Sequence, residues 1–118
     1  MKMNELMFGD WVYINGKMTK IGGLSCESSV STMRPIKITT DVMKMFGFKI
    51  RPVNTSIFIH KYYGKRRLMI EFYDGKVTVF IFRNDFHEII MKVRYIHELQ
   101  HVMRLSGIKK ELELKEDY

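Results

Sequence analysis

Residues 93–107 read VRYIHELQHVMRLSG. At about 100° per residue, Ile96, Leu99, Val102 and Met103 fall on one arc, an ordinary core-facing helical stripe. Gly107 supplies a helix stop. His97, His101 and Arg104 fall on the opposite face, which points away from any sheet the stripe covers. The same stretch contains His97-Glu98-Leu99-Gln100-His101, a match to the zinc-protease pattern H-E-x-x-H. The rest of the chain reads as short strands and turns. This helix therefore decides the architecture and carries the one string that looks like chemistry.

What the helix covers lies before it. Ile57 to Tyr63 reads as a strand, and Leu68, Ile70 and Phe72, then Val77, Val79 and Ile81, then Ile89, Met91 and Val93 each recur at every second position, the period of a strand with one apolar face. Gly64-Lys65-Arg66, Asp74-Gly75 and Arg83-Asn84-Asp85 separate them, and Asp-Gly is a strong type I′ hairpin signal. Four antiparallel strands with one apolar face need a cover, and the helix at 94–106 provides it. Beyond Gly107, Glu111 to Lys115 alternates as a short edge strand would.

The N-terminal half follows similar rules. Gly9-Asp10 is a turn, Trp11 to Ile14 a strand with Trp11 as a core aromatic, and Lys17 to Ile21 its return across Asn15-Gly16. Such a twisted hairpin commonly begins an SH3-like barrel. Val30 and Met33 suit a third strand that Pro35 ends or places at an edge. Thr39 to Phe46 is a short helix, capped by Thr39 or Thr40, with Asp41 in its first turn and Gly47 after its end. Arg51-Pro52-Val53-Asn54 is a connector where the chain reorganises. The expected fold is α+β in one domain, 1–118, with a hairpin-led part at 1–55 and a meander plus helix at 56–118.

Composition sets limits on function. A chain of 118 residues with 46% hydrophobic residues can bury one core without disulfides or a structural metal. The single cysteine, Cys26, excludes an intrachain disulfide and suits a reducing compartment; it sits in a serine-rich loop without a histidine nearby and reads as structural. Gly22-Gly23 is too short to be a phosphate loop. The opening residues lack a signal-peptide pattern, and no apolar run reaches the roughly 18 residues that span a bilayer, so a cytoplasmic protein with no membrane partner is expected. The net charge of +7 raises the odds of a polyanionic partner.

Two candidate sites follow. In the first, His97 and His101, one turn apart, share a zinc ion and Glu98 acts as general base on its water. A catalytic zinc also needs a third protein ligand. The residues after His101 offer Glu111, Glu113, Glu116 and Asp117, and the extended motif is broken because Arg104 and Gly107 stand where it wants glycine and histidine. The plainer reading makes the histidines part of a solvent-facing helix surface and Glu98 a solvated acid. The second candidate is the basic hairpin tip, where Lys61, Tyr62, Tyr63, Lys65, Arg66 and Arg67 interleave rings and cations as nucleic-acid binders do. Its plainer reading is a charged hairpin protected against edge pairing.

Leu6…Gly9-Asp10-Trp11-Val12, Pro35 to Thr39, Gly47-Phe48, Tyr95 to Gln100 and Leu105-Ser106-Gly107 resemble, in order, a group of small uncharacterised proteins. These are encoded in gut Bacteroidetes genomes and in their phages and mobile elements. In that group asparagine is expected at position 101 and glutamine is common at 98, so the resemblance implies that the full protease string is an accident of this member. The group has no established activity to carry over. These readings together favour a non-enzymatic binding or assembly module without a cofactor, in a host cytoplasm or virion, with protein or nucleic acid as partner. A minimal zinc hydrolase is the runner-up.

Overall fold

The computed structural model describes residues 9–21, 33–83 and 86–114, with the side chains of 86–88 left aside. Two antiparallel sheets flank helix α2, Ile96–Leu105. The smaller sheet holds β1 (Trp11–Ile14), β2 (Lys17–Lys20) and β3 (Met33–Pro35) in the order β2-β1-β3. The larger runs β4 (Ile50–Val53), β5 (Ser56–Tyr63), β6 (Arg66–Tyr73), β7 (Lys76–Arg83) and β8 (Phe86–Val93) in simple chain order. A short helix, α1 (Thr40–Met45), lies between them in sequence. The α+β class, the meander and its C-terminal helix are as the sequence implies.

Local chemistry explains the joints. Asn15 and Gly16, like Asp74 and Gly75, all have positive φ, which the right-handed twist of the flanking strands requires in a two-residue hairpin. The Thr39 hydroxyl accepts the Val42 N–H at 3.1 Å and caps α1. At the end of α2, Gly107 at φ 87° lets the Ile108 N–H return to the Met103 carbonyl at 2.9 Å. That closes a Schellman turn and sends the chain back along the helix. Pro35 sits inside β3 opposite Val12, tolerated because β3 is an edge strand.

Two expectations need correction. The Arg51–Asn54 connector is in fact β4, paired with β5 from Ile50↔Ile59 to Val53↔Ser56, so the meander has five strands. Pro52 misled because it lacks an N–H, yet β4 is also an edge and leaves that position unburdened. Residues 111–114 form no strand. Side chains and one carbonyl, rather than a ladder, fix this segment. Val30, Cys26, Gly22-Gly23 and Lys115 lie outside the described residues.

One apolar cluster runs from Trp11 to Leu112. It joins Ile96, Leu99, Val102 and Met103 of α2 to Ile59, Leu68, Ile70, Val79 and Ile81 of the large sheet. Val42 and Met43 of α1 and Phe46 just after it close it, with Trp11 meeting Phe46 edge to face at 5.3 Å between centroids. Each such side chain contributes about 1.5–3 kcal/mol on full burial. Register puts Ile59↔Ile70↔Val79 and Lys61↔Leu68↔Ile81 on the inner face of the large sheet. Among the described residues no helix is long and apolar enough to cross a membrane.

Candidate nucleic-acid interface

The helix face bearing the histidines is not turned to solvent. The segment leading into β1 covers it. Asp10 is fully buried, and its carboxylate accepts from Arg104 Nη1 at 2.6 Å and lies 2.7 Å from His101 Nε2. Gln100, only 1% exposed, grips the backbone on both sides of Asp10: its Nε2 donates to the Gly9 carbonyl at 2.8 Å and its Oε1 accepts the Trp11 N–H at 2.9 Å. Arg104 also forks onto Glu111, at 3.2 Å and 3.1 Å. Burial works against the charged guanidinium, but hydrogen bonds to Glu111 and Asp10 outweigh it and hold Arg104 above its ordinary range. The Trp11 indole donates to the Leu112 carbonyl at 2.9 Å, and Lys20 pairs with Glu113.

This clasp gives the protease string a structural account. His97 is buried and stacked on Tyr95, with centroids 5.8 Å apart. The Nε2 of His101, one of its two possible metal-ligating nitrogens, is engaged by Asp10. Glu98 is not a free acid: its Oε1 accepts the backbone N–H groups of Arg94 at 2.9 Å and Tyr95 at 3.0 Å, satisfying donors at the helix start. A carboxylate committed to the backbone is poorly placed to act as a base. Among the described residues no group of three His, Cys, Asp or Glu side chains could hold a metal ion. Asp10 and Gln100 are the residues that sequence reasoning missed. Both act across 89 or more residues of chain.

The hairpin tip is divided by the alternation of its strands. Lys61 and Tyr63 turn inward: the Lys61 ammonium lies 5.1 Å from the Phe48 ring centre and 5.6 Å from that of Tyr63. Arg66 is inward too, within 3.3 Å of where a Cβ on Gly107 would stand. Lys65 is exposed in the turn. Only Tyr62, 67% exposed, and Arg67 reach the outer face.

There they join a larger surface. Register aligns Tyr62↔Arg67↔Phe82 in one row, His60↔Met69↔Phe80↔Ile90 in the next, and Arg51↔Phe58↔Glu71↔Thr78↔Lys92 in a third. None of these residues belongs to the apolar core cluster. Phe58, Met69 and Phe80 are partly exposed, Ile90 is 56% exposed, and Phe82 is buried under Arg67. The Arg67 guanidinium lies 4.2 Å from the Phe82 ring centre, within cation–π range. Phe80 and Phe82 stack at 6.4 Å, and His60 meets Tyr62 at 5.6 Å. Burial first, then the charges of Arg67 and Arg51, push His60 below its ordinary range, so its ring is neutral near pH 7. Arg51, Arg67, Lys76 and Lys92 supply positive charge, and Glu71 is the one acid among the described residues of this face. A half-buried antiparallel sheet ordinarily turns polar residues outward. Here the outer face carries rings and methyls between cations.

No family model matches the chain, and comparison with curated proteins and with solved structures likewise returns no match.

Removing one partner of a buried charge pair is costly because it strands the other. Asp10→Ala is expected to lower unfolding stability by about 3 kcal/mol in urea denaturation followed by the fluorescence of Trp11. A loss within the range of a surface substitution would mean that Asp10 does not anchor the helix.

Burial pushes the Tyr63 hydroxyl up to about 12, from 10.0. The folded chain keeps this proton where the unfolded chain releases it. The stability associated with Tyr63 is therefore complete below pH 10 and declines as pH rises towards 12. Between mildly and strongly alkaline buffers, the native protein is expected to lose more stability than Tyr63→Phe. Equal losses would place the hydroxyl in solvent.

Proposed function

We propose that the chain is a non-enzymatic module that binds single-stranded nucleic acid on the outer face of its five-stranded sheet. The observation that carries the reading is the pattern of that face: Phe58, Phe80 and Tyr62 set among Arg51, Arg67 and Lys92 in adjoining rows, with Arg67 lying over the buried Phe82. Rings offer a stacking surface to any base, and guanidinium and ammonium groups hold the phosphates between them. Single strands suit such a surface better than a duplex, whose bases are already stacked. The net charge of +7 favours encounter with a polyanion. A setting in a phage or mobile element is part of the same proposal and rests on the resemblance of the short motifs around Trp11, Ile36 and Tyr95.

The test is fluorescence anisotropy with a labelled single strand of roughly ten nucleotides, a length in the range of known single-strand sites. Binding is expected at low salt, weakening with a slope of about −0.7 per phosphate contacted. Phe80→Ala and Tyr62→Ala should each cost about 1–3 kcal/mol. Arg67→Ala should flatten the slope by about 0.7. The absence of binding at low salt would sink the proposal. So would self-association that Phe80→Asp abolishes, since that outcome gives the face to a second copy of the chain.

A further inference from the structure

Where the outer face ends, beside the Asp74-Gly75 turn, a cleft of about 970 Å³ opens between the sheet and the start of α2. Its size is at the top of the ~300–1,000 Å³ range of small-molecule sites. Its walls include Ile38, Ile57, Phe72, Val77 and Val93. Four cations line it: Lys37, Lys76, Lys92 and Arg94. Two carboxylates, Asp74 and Glu98, oppose them. Of these, Glu98 is bound to the backbone N–H groups of Arg94 and Tyr95. Two tyrosines complete the lining, Tyr95 with the Arg94 guanidinium 5.5 Å from its ring centre, and Tyr73, paired in register with Lys76.

Apolar walls with aromatic edges suit a planar ring, and surplus positive charge suits a phosphate. Together they describe a nucleotide. The cleft is also continuous with the proposed binding face, since Tyr73, Lys76 and Lys92 belong to both. Ile57, Phe72, Val77 and Val93 form one row on the inner face, so a strand lying along the outer rings enters the cleft by turning over the Tyr73–Lys76 end of the sheet. We infer that this cleft seats the terminal nucleotide of the bound strand, with its end phosphate held by Lys37 and Arg94, so that the protein distinguishes a phosphorylated end from the interior of a strand. This rests on the single-strand reading of the sheet face. It goes beyond that reading, because stacking on an open sheet does not sense an end.

The experiment compares four labelled DNAs of one sequence: 5′-phosphorylated, 3′-phosphorylated, unphosphorylated, and closed into a circle. One phosphorylated end is expected to bind about tenfold more tightly than the unphosphorylated strand, the scale of a charge-assisted contact. The circle should match the unphosphorylated strand. Lys37 and Arg94 are exposed, so Lys37→Ala with Arg94→Ala leaves the core intact. That double variant should bring the phosphorylated strand to the affinity of the circle and leave the circle unchanged. Equal binding of all four DNAs overturns the end site while the face still binds. A phosphate preference that survives in the double variant overturns it as well. Failure of every DNA to bind removes both proposals.

Discussion

The rest of the structure depends on the buried contact between Asp10 and helix α2. A carboxylate with no solvent exposure is tolerated only when its charge is answered; Arg104 answers it, and a ring nitrogen of His101, one turn earlier on the same helix, adds a hydrogen-bonding partner. Gln100 holds the backbone on either side, so the entry to β1 has one register against the helix. The Schellman turn at Gly107 then returns the chain to place Glu111 on Arg104 and the Leu112 carbonyl on Trp11. Both ends of the described chain are thereby tied to α2. The helix is a wedge between two sheets rather than a lid on one.

This arrangement engages the residues of the protease string. His97, Glu98 and His101 each have a packing or hydrogen-bonding role that accounts for the residue. The surface we propose for recognition is on the far side of the large sheet. Its strands bury one set of alternating residues against α1 and α2, and the same period exposes the other set. The rings and cations of that second set are the basis of the binding proposal. The cleft beside α2 extends the surface to its edge.

Signals that are local in the chain were legible in the sequence. Asn15-Gly16 and Asp74-Gly75 gave the hairpins, period-two runs gave β5 to β8, and the stripe from Ile96 to Met103 gave the buried face of α2. The clasp was not legible, because Asp10 and His101 lie 91 positions apart and nothing in Gly9-Asp10 distinguishes a buried acid from a turn. Without that partner the polar helix face looked solvated, and the histidines with it. The short strand β4 was hidden by Pro52, whose missing N–H argues against a strand only in a sheet interior. The six candidate residues of the hairpin tip, between Lys61 and Arg67, do not share one surface, because strand alternation sends Lys61, Tyr63 and Arg66 inward. The rows of the outer face needed register between strands, which no single strand reveals.

The central claim is that recognition takes place on the outer sheet face and not on the helix that carries the histidines. The most direct measurement is an NMR titration of isotope-labelled protein with a short single-stranded DNA, read residue by residue. Shifts are expected at Arg51, Phe58, Tyr62, Arg67, Phe80 and Ile90, with Gln100 and His101 unmoved. Shifts centred on α2, or none at low salt, would contradict the account.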